Sequence, residues 1–191
     1  MREIAFYGGS FNPPTEAHRA IVEHLLKVGR FEIVIVKPCG LRKDKPTLAQ
    51  EDRSTRLHSV LGLSHPGYRL DLSGLSKPMM PTWEEWQGLR RNHPGAKLWL
   101  VTGADLFAEE HGGRCQVERW VRGGDLFRNA SFLIFPRQIT TLLRLPAHWE
   151  LARGFTPLAI SSSQLRAQHH HASRSGSSSG GRPIGSCPGE S

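Results

Sequence analysis

Residues 3–18 read EIAFYGGSFNPPTEAH. The apolar run from Ile4 to Tyr7 ends in two glycines, a loop with two prolines follows, and a helical pattern begins near Thr15. In TEAHRAIVEHLLKVG (15–29) the spacing puts Ala17, Ala20, Ile21, Leu25 and Val28 on one face, with Gly29 as a stop. A strand giving way through a glycine turn to a helix is the first half of a βαβ unit. FEIVIVKP (31–38), an apolar run closed by proline, supplies the second half and reads as a strand buried on both faces. Further on, RSTRLHSVLGLS (53–64) and PTWEEWQGLRRNHPG (81–95) read as helices, AKLWLVTG (96–103) and ASFLIFPR (130–137) as strands. This alternation predicts an α/β fold, a Rossmann-like parallel sheet flanked by helices.

The chain of 191 residues is long enough for one domain with a substantial core. From Ala167 onward it turns to Ser, Gly, His and Pro with few apolar residues. Such a composition buries too little to offset its ordering entropy, so we expect a domain over 1–166 and a disordered tail over 167–191. The tail carries only +1 of the formal charge of +8, leaving +7 on the domain. A basic domain suits anionic partners, either nucleic acid or phosphorylated small molecules, although solubility alone accounts for charge equally well. Cys39, Cys115 and Cys187 are odd in number and widely spaced, which is no disulfide framework or zinc cluster. With no signal-type apolar stretch at MREIAFYGG and no membrane-spanning run, the expectation is a cytoplasmic protein without membrane partners.

In an open parallel sheet, ligands bind beyond the carboxyl ends of the strands. Gly8 and Gly9 fall there, where a small residue lets the backbone approach a ligand. The helix that follows offers unpaired N–H groups and its dipole to a phosphate, and Pro13 and Pro14 stiffen the approach. Thr15 and His18, three apart, share the first turn. His18 can donate to a phosphate oxygen as charge develops on it. Thr15 can offer a hydroxyl or cap the helix, and a capped helix with a surface histidine is the plainer alternative. At the far end, AISSSQLR sets Ser161, Ser162 and Ser163 ahead of a short helical pattern. A serine there can cap the helix and Arg166 can bind phosphate oxygens as a fork, a capped surface helix with a solvent-facing arginine being the plainer alternative.

The string GGSFNPPTEAH resembles the (H/T)xGH signature of the nucleotidylyltransferase superfamily, and ISSSQLR (160–166) resembles its second signature, ISSTxxR. With VTGADLF (101–107), ERW (118–120) and FLIFPR (132–137), residues 1–166 look most like a nicotinate/nicotinamide mononucleotide adenylyltransferase. The resemblance implies adenylyl transfer from ATP to a pyridine mononucleotide, with release of pyrophosphate. It implies catalytic roles for His18, Arg166 and Lys45, and ATP contacts from Gly8, Gly9, Ser10, Phe11, Thr15, Gly103, Asp105 and Ser161 to Ser163. Asp105 would accept from a ribose hydroxyl, or else serve as a helix cap. Asn12, Thr82, Trp120 and Arg137 would hold the mononucleotide. Trp83, Trp86, Trp99 and Trp149 read instead as core or edge residues. Lys45, in the basic stretch after the second strand, reads equally as phosphate ligand or solvated loop.

The nucleophile of such a reaction is already an anion, so catalysis rests on positioning and charge stabilisation. Mg²⁺ would be carried mainly by the ATP phosphates, with no dedicated metal site in the chain. Thr15 and Ala17 stand where many relatives have His and Gly, Ser163 replaces a threonine, and the tail departs from the ordered helical end of relatives. The alternatives are a pantetheine-phosphate adenylyltransferase, whose signatures are similar, and an inactive nucleotide-binding relative. Nucleic acid is not expected as a partner, because charge alone suggests it and no motif supports it. A homo-oligomer is left open.

Overall fold

The computed structural model describes residues 1–41, 50–108, 115–136 and 146–158. Among the described residues six strands form one sheet: β1 (Glu3–Gly9), β2 (Ile33–Pro38), β3 (Tyr68–Leu70), β4 (Lys97–Gly103), β5 (Ser131–Phe135) and β6 (Glu150–Leu151). Their order is β3-β2-β1-β4-β5-β6, and every adjacent pair is parallel. Helices α1 (Glu16–Lys27), α2 (Gln50–Leu61), α3 (Thr82–Asn92) and α4 (Gly123–Asn129) occupy the crossovers. The predicted Rossmann-like sheet is therefore present, extended by the short strands β3 and β6.

Both faces of the sheet are dry, which is why its central strands read as continuous apolar runs. Ala5, Tyr7, Val34, Val36, Trp99, Val101, Leu133 and Phe135 point to one face, under Ile21, Val22 and Leu25 of α1 and Leu57 and Leu61 of α2. Their sequence neighbours Ile4, Phe6, Ile35, Leu98, Leu100, Phe132 and Ile134 point to the other, against Trp86 of α3, Leu126 of α4, Phe107 and Trp149. Trp86, Trp99 and Trp149 are buried and Trp83 packs against Trp86, as core or edge residues should. On α1 the buried stripe is Ile21, Val22 and Leu25, whereas Val28, assigned to that stripe from spacing, is 52% exposed. Val28 is the C-cap, where the chain turns off the helix, so the stripe ends one turn earlier. Helix α2 starts before the predicted Arg53 and ends at Leu61, where the Gly62 amide donates to the His58 carbonyl at 2.9 Å. A side chain at Gly62 would overlap that oxygen.

At the amino end of the sheet Arg30 ties the first strand to the last. Its guanidinium bonds the Glu3 carboxylate, meets Glu150 at 2.6 Å, and lies 4.5 Å from the Trp99 ring centroid. No helix among the described residues is long and apolar enough to cross a membrane.

Candidate active site

The strand order reverses at β1, since β2 and β3 lie to one side and β4 to β6 to the other. A reversal of this kind opens a crevice at the carboxyl ends of the two central strands. The β1–β4 ladder ends at Phe6↔Leu100, and beyond it β1 runs on to Gly9 and β4 to Gly103, so both glycines finish their strands at that crevice. Gly8 and Gly9 from one strand, and Gly103 and Asp105 from the other, are thereby brought to one edge of the sheet. Asp105 is exposed and belongs to the 3-10 turn Ala104–Phe107, whose N-cap is Gly103; the aspartate is not itself the cap.

The loop from Ser10 to Pro14 carries the chain into α1. Phe11 takes φ of +42°, a left-handed conformation that costs a non-glycine residue about 1–3 kcal/mol. Burial of its ring offsets that cost: Phe11 is 2% exposed and packs edge-on to Tyr7 (5.2 Å) and His18 (5.0 Å). Its side chain therefore belongs to the core, packed against His18, and only its backbone can face the crevice. The Asn12–Pro13 peptide is cis.

Thr15 is the N-cap of α1 and is buried, with His18 at the third helical position. The Thr15 amide donates to His18 Nδ1 at 3.0 Å, and the Thr15 Oγ1 stands 2.8 Å from the same nitrogen. This is a capping box in which an imidazole takes the place of the usual Glu or Gln. A ring nitrogen that accepts from a main-chain N–H carries no proton, so the neutral ring bears its hydrogen on Nε2. The box thus does two things: it closes the helix start, and it fixes the His18 tautomer with Nε2 as a donor. The cap role and the phosphate-donor role of these residues, weighed as alternatives from sequence, are compatible.

Thr82 opens α3, and the Lys37–Glu85 ion pair (2.8 Å) ties the first turn of that helix to the carboxyl end of β2. Trp120 is half-buried and packs on the second face of the core. Lys45, Arg137, Ser161, Ser162, Ser163 and Arg166, and the tail 167–191, lie outside the described residues. Among the described residues no three His, Cys, Asp or Glu side chains are grouped for a metal ion, Cys115 is a buried free thiol and Cys39 a half-buried one.

Arg53 was not foreseen. It is 2% exposed, and its Nη2 donates to the carbonyls of Ser10 (2.9 Å) and Cys39 (2.6 Å). The signal was present in the sequence, because Arg53, Leu57 and Leu61 follow one another four residues apart on the face of α2 turned to the core. A charge in register with an apolar stripe is a buried charge.

Residues 6–168 match the family model described as cytidylyltransferase-like. A Helicobacter pylori protein named "Probable nicotinate-nucleotide adenylyltransferase" is 26% identical over 168 residues, covering 87% of this chain and 92% of the relative. A Nitratiruptor sp. protein of the same name is 33% identical over 139 residues, 71% of this chain and 74% of the relative. Among solved structures, Plasmodium falciparum nicotinic acid mononucleotide adenylyltransferase complexed with NaAD superposes with a TM-score of 0.73 at 23% identity, over 87% of this chain and 83% of that one. That likeness establishes the fold, and the sequence matches establish descent: the chain belongs to the cytidylyltransferase-like family and is a relative of the nicotinate-nucleotide adenylyltransferases.

Proposed function

We propose that this chain transfers the adenylyl group of ATP to nicotinate mononucleotide, giving the adenine dinucleotide and pyrophosphate. The observation that carries the reading is His18, locked by Thr15 at the start of α1, beside the crevice where β1 and β4 end. The names of the sequence relatives favour the nicotinate form of the acceptor over the nicotinamide form.

The acceptor's 5′-phosphate oxygen attacks the α-phosphorus of ATP, the bond from that phosphorus to the bridging oxygen of the β-phosphate breaks, and pyrophosphate leaves with the electron pair. Magnesium enters as part of the ATP substrate, ligated by phosphate oxygens and water. The Nε2 hydrogen of His18 donates to an ATP phosphate oxygen, a bond that strengthens as charge builds in the transition state. The amino end of α1 and the turn at Gly8 and Gly9 receive the phosphates, and Asp105 accepts from a ribose hydroxyl. The family resemblance would assign Arg166, Lys45 and Ser161 to Ser163 to the ATP phosphates and Arg137 to the mononucleotide. Asn12, Thr82 and Trp120 form the acceptor side, where an indole face suits a cationic pyridinium ring.

Mass-spectrometric detection of the dinucleotide after incubation with magnesium, ATP and either pyridine mononucleotide tests this. The nicotinate dinucleotide is expected at the higher kcat/KM; a preference for the nicotinamide form would reassign the acceptor, and absence of both products would overturn the reading.

A further inference from the structure

A guanidinium has five N–H donors and a charge that cannot be discharged. In Arg53 the Nη2 hydrogens go to Ser10 and Cys39, while the buried Nε and Nη1 have no partner. Among the described residues no carboxylate pairs with it. Burying a cation with bare donors costs several kcal/mol, so such an arrangement favours an anionic counter-charge at those donors.

The place of Arg53 says where that counter-charge belongs. Ser10 follows β1 and Cys39 follows β2, so one side chain holds the first residues of two loops at the ligand edge of the sheet. The Cys39 amide also donates to the Gly9 carbonyl at 2.7 Å, carrying the strand pairing one residue beyond the ladder. Because a trans peptide sets C=O and N–H on opposite sides, drawing the Ser10 carbonyl towards Arg53 turns the Phe11 amide away from it. Among the described residues nothing accepts from that amide. Next along, Gly40 lies against the Lys77 carbonyl so closely that a side chain would overlap it, and the Leu41 amide donates to the same oxygen at 2.8 Å. The second loop is therefore braced on one side by Arg53 and on the other by Lys77.

We propose that Arg53 is a positioning residue for adenylyl transfer: its fork fixes the loop after β1 to the loop after β2, and its buried charge supplies a positive field beneath the ATP phosphates. The proposal rests on the adenylyl-transfer reading above. It separates the two halves of the side chain, since lysine keeps the charge and loses the fork, while methionine loses both.

The experiment compares full-length wild type, Arg53→Lys and Arg53→Met in steady-state turnover of magnesium-ATP with nicotinate mononucleotide, and in the rise of melting temperature on adding ATP. Arg53→Lys is expected to keep the KM for ATP within about threefold and lose about tenfold in kcat; Arg53→Met is expected to lose about tenfold in each. Kinetics of Arg53→Met within about twofold of wild type would overturn the proposal. So would lower melting temperatures in both variants with unchanged turnover per folded molecule, because that marks a purely structural role. If Arg53→Met does not fold, Arg53→Lys decides alone, and an unchanged kcat overturns the proposal. If wild type itself turns over no pyridine mononucleotide, the adenylyl-transfer reading fails separately. The ATP-induced rise then decides: lost in Arg53→Met and kept in Arg53→Lys supports the proposal, equal in all three overturns it.

Discussion

His18 has two tasks that substitution can pull apart. As the third residue of α1 it accepts from the Thr15 amide and completes the helix cap; as an imidazole it presents Nε2. Glutamine is a normal partner in a capping box, so His18→Gln is expected to keep stability within about 0.5 kcal/mol of wild type, while His18→Ala loses about 1 kcal/mol. Both are expected to lower kcat by about 100-fold or more, the range for removing one preorganised donor to developing charge. Thermal melts and turnover on the same preparations check this, and a His18→Gln protein with wild-type turnover would show that only the cap matters. Thr15→Ala is expected to cost about 1 kcal/mol of stability and to lower kcat more than it raises KM, because it removes the Oγ1 contact and leaves the His18 ring held by the residue 15 amide alone. The pairing of Thr15 with His18 was legible in the sequence because it lies in a local spacing. For Arg53 the spacing to Leu57 and Leu61 marks burial but not its partners, because Ser10 and Cys39 are fourteen or more residues away and the fold alone brings them together.

At the scale of elements, the strands that were legible are those buried on both faces, where apolar content needs no periodicity to be noticed. The three residues of β3 and two of β6 are too short to carry a pattern, and α4 begins with two glycines after Arg122, itself at φ of +53°. These weakly marked elements are held by side chains instead. The Tyr68 hydroxyl of β3 donates to the carbonyl of Leu61, the last residue of α2, and burial pushes its pKa up to about 12, so it remains a donor throughout the neutral range. Tyr68→Phe is expected to lower stability by about 1 kcal/mol in denaturant unfolding. Strand β6 is held by Arg30, whose hydrogen bond lowers the pKa of Glu150 below its usual value. His24, between the rings of Phe135 and Phe155, has its pKa lowered by burial and by the nearby Lys27. Both shifts are downward, so the unfolded chain binds protons more readily and stability falls as pH falls. The His24 contribution is complete above its unfolded value of about 6.5 and fades below it; that of Glu150 is complete above about 4.5 and fades at lower pH. Melting temperature against pH is expected to decline in two stages, the upper flattened by His24→Phe and the lower by Arg30→Met.

For the whole molecule, the single consequential fact is the strand order. By reversing at β1, the sheet places the ends of β1 and β4 side by side and lets one loop and one short turn face a ligand from the two sides. Helices α1 and α2 then serve the site from the same face of the sheet, α1 through its capped start and α2 through Arg53. Parallel strands and helical crossovers were legible as a class, yet order is a property of long-range pairing and left no trace in local spacing. The +7 carried by residues 1–166 belongs at this scale too, since it suits two anionic substrates that meet in one crevice against their mutual repulsion. The central claim is that this crevice joins ATP to a pyridine mononucleotide, and the most direct measurement is pyrophosphate release. Magnesium and ATP would be supplied with nicotinate mononucleotide, nicotinamide mononucleotide or phosphopantetheine, in wild type and His18→Ala. Release stimulated by nicotinate mononucleotide above the other two, and lost in His18→Ala, is the predicted result. Release with phosphopantetheine alone, or with none of the three, would contradict it.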